Sequence, residues 1–108
     1  MYDVITVGSA TVDALVRTEF YEMVHDKKKK ECIAYPVGAK ILMKELILTT
    51  GGGGTNSAVA LSRLGHKVAF IGKVGSKYNS SRVIKELKVE KVDTSLIIRS
   101  KTGHTGYS

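Results

Sequence analysis

Residues 49–65 read TTGGGGTNSAVALSRLG: four consecutive glycines, Gly51 to Gly54, run straight into a segment of helical period. Ala58, Leu61 and Leu64 lie three apart, and Ala60 and Leu64 four apart, which predicts one apolar helical face. Gly65 is placed to end that helix, because glycine adopts the left-handed conformation of a helix end without steric cost. The next residues, HKVAFIGKVG, predict a buried strand over Val68 to Ile71, closed by Gly72. Turn, helix and buried strand in succession predict an α/β crossover. The glycines mark a place where something comes too close to the backbone for a side chain.

A helix opened by glycines is a ready anion site, so phosphate is the first ligand to test. A P-loop needs a lysine and a hydroxyl residue after its last glycine, yet Gly54 is followed by Thr55 and Asn56. A dinucleotide fingerprint needs G-x-G-x-x-G directly after the first strand. That strand ends in GSATVD with one glycine, and in the later run Asn56 stands where the third glycine belongs. A loop that is glycine-rich only because the backbone turns sharply stays open as an alternative. A polyhydroxylated ligand uses more of what is present. Gly51 to Gly54 offer bare backbone, Asn56 offers a donor and an acceptor, and Asp13 accepts hydrogen bonds from hydroxyls while repelling phosphate. Asp13 alone reads equally well as a turn residue; the combination gives it weight, since both segments fall at the carboxyl ends of predicted strands, where open α/β sheets bind ligands.

Working outward, Tyr2 to Val7 (YDVITV) predicts a buried parallel strand and Asp13 to Phe20 a second extended segment. Glu31 to Thr50 is broken by Pro36 and Gly38 and predicts short strands around a YPVG turn, with Ile41, Met43, Leu46 and Leu48 on one face. Ser80 or Ser81 is expected to cap a second helix with a stripe of Val83, Ile84 and Leu87. Ser95 to Arg99 predicts another strand, and TGYS the start of one more. Helices between buried strands predict an α/β sheet, with residues 13–50 as an extended flap beside it. An open strand edge at the last residues reads as the front part of something longer.

The 108 residues suffice for one domain with a modest core, and no apolar run is long enough to span a bilayer. A net charge of +7 raises nucleic acid as a partner, but the one dense cluster, Lys27 to Lys30, is flanked by acids and lacks the interleaved aromatics that stack bases. It reads as a solvated loop or hairpin tip. The single cysteine, Cys32, excludes a disulfide framework, and the absence of a basic leader argues against a signal peptide, so a cytoplasmic protein is expected. His25, His66 and His104 lack the spacing of a metal-ligand set.

The segment GGGGTNSAVALSRLGHKVAFIGKVG, residues 51–75, resembles the N-terminal signature of the ribokinase-like (PfkB-type) carbohydrate kinases. GSATVD matches that family's first substrate segment, and KVDTSLI with TGYS is similar to its continuation. The resemblance implies a ribokinase-like three-layer α/β/α sandwich, here its N-terminal part, with residues 13–50 as a β-sheet flap and 51–108 as the start of the core. It implies that Asp13 binds substrate hydroxyls and that Gly51, Gly52 and Asn56 contact a sugar, with Gly53 at a position where ribokinases proper carry lysine. Thr11 stands where ribokinase has asparagine, which puts ribose as the substrate in doubt, and Ser76 and Lys77 depart from the family's usual aspartate and glycine. The family uses ATP with Mg2+, and its catalytic aspartate lies in a late G-A-G-D segment that this chain lacks. The expected function is thus the substrate-binding portion of an ATP-dependent sugar or nucleoside kinase, inactive by itself, with the flap covering the substrate or forming a homodimer interface. The competing reading is a non-catalytic ligand-binding or dimerisation module on the same half-fold.

Overall fold

A computed structural model describes residues 1–108. The elements run β1 (Val4–Val7), β2 (Thr11–Arg17), β3 (Glu22–His25), β4 (Glu31–Ala34), β5 (Glu45–Gly51), α1 (Gly53–Arg63), β6 (Val68–Ile71), β7 (Lys73–Val74), α2 (Tyr78–Val89), β8 (Ile98–Arg99) and β9 (Gly106–Tyr107). They fall into two compact units, one of Met1–Ala14 with Leu48–Ser108 and one of Leu15–Ile47.

In the first unit β1 and β6 pair in parallel, from Val4 opposite Val68 to Val7 opposite Ile71. Two further parallel pairs are short: β7 with β8, and β2 with β9. Val12, Ala58, Val68, Phe70, Val74, Val83 and Leu87 form the core, with Ile84, Leu61 and Leu48 packed against it. Each of the larger side chains among them, removed from water, contributes about 1.5–3 kcal/mol, which offsets part of the entropy of ordering the chain.

The helix α1 ends as its sequence predicts. Gly65 has φ +94°, its N–H donates to the Ser62 carbonyl at 2.9 Å, and the His66 N–H donates to the Leu61 carbonyl at 3.2 Å. Those two bonds define a Schellman motif. Its apolar face is narrower than expected, because Leu64 is the C-cap and stands in solvent while Ala58 is fully buried. Helix α2 keeps its expected stripe, but neither Ser80 nor Ser81 caps it. Lys77 is the N-cap, and Ser80 lies inside the first turn with its hydroxyl donating to the Lys77 carbonyl at 2.6 Å. Burial of Ser80 against the core overrides its capping preference.

Other expectations shift in the same way. In β1, Thr6 is buried but Ile5 and Val7 are 47% and 72% exposed, so the strand is covered on one face only. Ser95 to Leu96 forms a turn in which the Ser95 N–H donates to Asp93 Oδ1, leaving β8 with Ile98 and Arg99 alone. Its partner β7 follows Gly72 immediately and is too short to show a period. Ile41 and Met43 lie outside any strand.

The second unit carries the antiparallel pair β3–β4, with Glu22 opposite Ala34 and His25 opposite Glu31. Lys27 to Lys30 form its exposed tip. Asp26 Oδ1 accepts the N–H groups of Lys28 and Lys30 at 2.7 and 2.9 Å, and Lys29 takes φ +59°. At the YPVG turn the Ala39 N–H donates to the Pro36 carbonyl and Gly38 has φ +75°, as a type II turn requires. No helix of the chain is long and apolar enough to cross a membrane.

Candidate functional site

Three of the four glycines that open α1 are held against other parts of the same chain. Gly52, the N-cap, has φ +101°, and a Cβ there would lie 2.5 Å from the Ser9 carbonyl oxygen. A Cβ on Gly54 would lie 2.6 Å from the Phe70 ring and 2.8 Å from the Gly8 carbonyl carbon. A Cβ on Gly51 would run into the Asp13 carboxylate. Gly53 alone faces open space. What approaches the glycine run so closely is thus the β1–β2 loop, Gly8 to Ala10, together with the Asp13 carboxylate and the Phe70 ring. The chain itself thus accounts for the absence of a side chain at Gly51, Gly52 and Gly54, and no neighbour accounts for it at Gly53.

Strand alternation then sets Asp13. Thr11 and Asp13 share one side of β2 while Val12 between them is fully buried in the core. The Thr11 hydroxyl donates to Asp13 Oδ1 at 3.1 Å and the Ser108 hydroxyl donates to the same oxygen at 2.9 Å. The parallel pairing of β2 with β9 brings Ser108 there, as the Ser108 N–H donates to the Val12 carbonyl and the Ala14 N–H to the Ser108 carbonyl. An ionised carboxylate has about four acceptor positions. Two are used here, both on Oδ1, and Oδ2 is the oxygen nearest to where a Cβ on Gly51 would stand.

Thr11, Asp13, Gly51, Gly52 and Gly53 are therefore contiguous. Asn56 is placed differently: no hydrogen bond ties it to Asp13, and it is exposed on α1 beside Thr50, Val59 and Arg82 along the groove between α1 and α2. Two participants escape the sequence reading. Ser9 reads as a turn residue, yet its Oγ accepts the Gly53 N–H at 3.0 Å and its carbonyl accepts the N–H groups of Gly54 and Thr55 at 3.1 and 3.3 Å. Ser108 joins Asp13 only through the β2–β9 pairing. The segment GSATVD could have suggested Ser9, since it lies in the loop that leads into the strand carrying Asp13; nothing local points to Ser108.

The family follows. The pfkB family carbohydrate kinase model matches residues 5–108, and the chain belongs to that family. Ribokinase of Staphylococcus aureus is 31% identical over 104 residues, covering 95% of this chain and 30% of the relative. The structure of Arabidopsis thaliana ribokinase complexed with ribose and ATP superposes with a TM-score of 0.76 at 20% identity, covering 98% of this chain and 30% of that one. An uncharacterized sugar kinase from Pyrococcus horikoshii, in complex with ATP, gives a TM-score of 0.69 at 29% identity, covering 95% of this chain and 28% of that one. The fold is ribokinase-like, and the chain spans about three-tenths of the length of these relatives.

Proposed function

We propose that this chain forms the substrate-binding part of an ATP-dependent sugar or nucleoside kinase, which transfers the γ-phosphoryl group to a substrate hydroxyl. The observation that carries the reading is Asp13, a carboxylate set by the Thr11 and Ser108 hydroxyls against the Gly51 backbone. Such a group accepts hydrogen bonds from a polyhydroxylated compound and orients it, and Thr11 and Ser108 can exchange their bonds with the incoming hydroxyls. Membership of a carbohydrate kinase family and the likeness to S. aureus ribokinase support a sugar as the ligand. The ATP complex of the P. horikoshii kinase supports ATP as donor.

The N-terminus of α1 does not fit an ATP phosphate. The leading amides of α1 are already given to Ser9, and no lysine follows Gly54. We assign the Mg-ATP contacts and the catalytic base to other parts of the kinase, with the base in the family's G-A-G-D segment. Substrate positioning, a large share of what a phosphoryl-transfer enzyme contributes, is the role left to Asp13 and its neighbours, with Asn56 assigned to the same substrate by resemblance.

Titration of the chain with D-ribose, D-fructose and a ribonucleoside, followed by calorimetry, tests the reading. Binding of at least one, lost on Asp13→Asn and kept on Asn79→Ala at an unrelated position, is the expected result. Equal binding by Asp13→Asn and the unsubstituted chain, or no binding of any, overturns it.

A further inference from the structure

Strand β5 stands at the edge of its sheet, with β2 as its single neighbour. Backbone groups two residues apart on a strand face the same edge, so the Leu48 carbonyl and the Thr50 N–H point one way and need partners there. Helix α2 supplies both. Arg82 Nη2 donates to the Leu48 carbonyl at 2.7 Å, and the Thr50 N–H donates to Glu86 Oε2 at 3.0 Å. The two side chains stand one helical turn apart and form an ion pair, with Arg82 Nε 3.1 Å from Glu86 Oε1. A donor and an acceptor on one helix face thus take the place of an adjoining strand. The order of the pair suits that clamp better than it suits the helix. On an isolated helix an acid four residues before a base is the stronger arrangement, and here the acid comes second.

The residue next to this clamp belongs to the candidate site. Gly51 follows Thr50, and a Cβ there would run into the Asp13 carboxylate. The Gly51 carbonyl also accepts the Thr55 hydroxyl at 2.6 Å, which ties it to the first turn of α1. We propose that Arg82 and Glu86 are positioning residues: by holding Leu48 and Thr50 they fix the Gly51 backbone against the Asp13 carboxylate, and so keep that carboxylate where a substrate hydroxyl meets it. This role rests on reading the Asp13 site as the kinase substrate site. Neither side chain has to touch the substrate. Without the clamp the Leu48 carbonyl and the Thr50 N–H turn to water, and the bonds lost are the ones nearest Gly51 on that edge of β5. The orientation that Asp13 imposes then loosens, and small displacements of a positioned group are costly. A second ion pair, Arg63 with Glu90, lies in the same groove between α1 and α2 without a bond to β5, which makes it the natural control.

Calorimetric titration with D-ribose, D-fructose and a ribonucleoside, run well below the melting temperature of each variant, tests the role. Glu86→Ala removes the acceptor and should bind the compound taken by the unsubstituted chain about tenfold more weakly, the order of loss from a misplaced positioning group. Glu86→Gln keeps an acceptor oxygen for the Thr50 N–H and should recover most of that affinity. Glu90→Ala, which breaks the control pair, should bind as the unsubstituted chain does. A merely structural role would lower the melting temperature of both alanine variants and leave both affinities alone. Unchanged affinity in Glu86→Ala, an equal loss in Glu90→Ala, or no recovery in Glu86→Gln overturns the proposal. The 13C resonance of the Asp13 carboxyl, followed without any ligand, keeps the two readings apart. If nothing binds the unsubstituted chain, the kinase-substrate reading falls and that resonance decides the clamp alone. A shift in Glu86→Ala with none in Glu90→Ala upholds its hold on Asp13, and any other pattern sinks it. If Glu86→Ala does not fold, Arg82→Ala, which frees the Leu48 carbonyl and leaves an acceptor for Thr50, carries the same expectations.

Discussion

At Gly52 and Gly53, adjacent glycines have opposite reasons to be glycine, and this contrast is measurable. Gly52 combines φ +101° with the Ser9 carbonyl where a Cβ would stand, so Gly52→Ala should cost roughly 2–3 kcal/mol of unfolding free energy. Gly53 begins the helix in open space, so Gly53→Ala should be neutral or up to ~1 kcal/mol stabilising. Urea denaturation of the two variants checks the pair; equal losses would mean that a feature other than the β1–β2 loop shapes the run. A second residue-scale effect concerns pH. The Tyr2 hydroxyl, at 2.7 Å, and then the Ser95 N–H hold the Asp93 carboxyl down from 3.8 to about 2. A carboxyl whose folded pKa is depressed contributes stability above its unfolded value, and that contribution fades as the pH falls from about 4 through 2. Tyr2→Phe should raise the Asp93 pKa toward its ordinary value, as read by NMR titration; an unchanged titration would rule out Tyr2 as the main cause.

Both helices end in the same motif but with different residues in the left-handed position. At α1 it is Gly65. At α2 it is Lys91, with φ +60°, whose N–H donates to the Lys88 carbonyl at 3.0 Å while the Val92 N–H donates to the Leu87 carbonyl at 3.0 Å. A lysine there bears a steric cost that glycine avoids, and the greater freedom of glycine in the unfolded chain cancels part of the gain. Lys91→Gly should therefore stabilise the chain by about 0.5–1 kcal/mol in a thermal or urea melt, and a loss of stability would show that the Lys91 side chain packs usefully. The two helix ends are also joined by a two-point ion pair, Arg63 Nε to Glu90 Oε2 at 2.8 Å and Arg63 Nη2 to Glu90 Oε1 at 2.5 Å, with the Ser62 hydroxyl on the Glu90 carbonyl. Solvent exposure of Arg63 keeps the contribution of that pair small.

For the molecule as a whole, the proposed division of labour has a direct consequence. A chain with the Asp13 site but no phosphate cradle and no G-A-G-D segment should yield no sugar phosphate from D-ribose or D-fructose and Mg-ATP. A coupled ADP-release assay on the purified 108 residues, with S. aureus ribokinase as the positive control, checks this. ADP release that depends on the sugar would place catalytic groups within these residues and overturn the division.

Local features made much of this legible in the sequence. The period of residues 53–63, the glycine after it and the apolar run Val68 to Ile71 each depend on contacts within a few residues, and α1, its Schellman end and β6 stand where they predict. The neighbours of Asp13 were only partly readable: Thr11 lies two residues away on the same side of a strand, whereas Ser108 reaches it through a parallel pairing that no local pattern encodes. Asn56, adjacent in sequence to the glycines, is turned by helix geometry toward α2. Four glycines in a row announced a close approach. Only the tertiary structure decided what makes that approach, the Gly8 to Ala10 loop and Asp13, because the partners of a helix N-terminus are fixed by which distant strand end the sheet brings beside it.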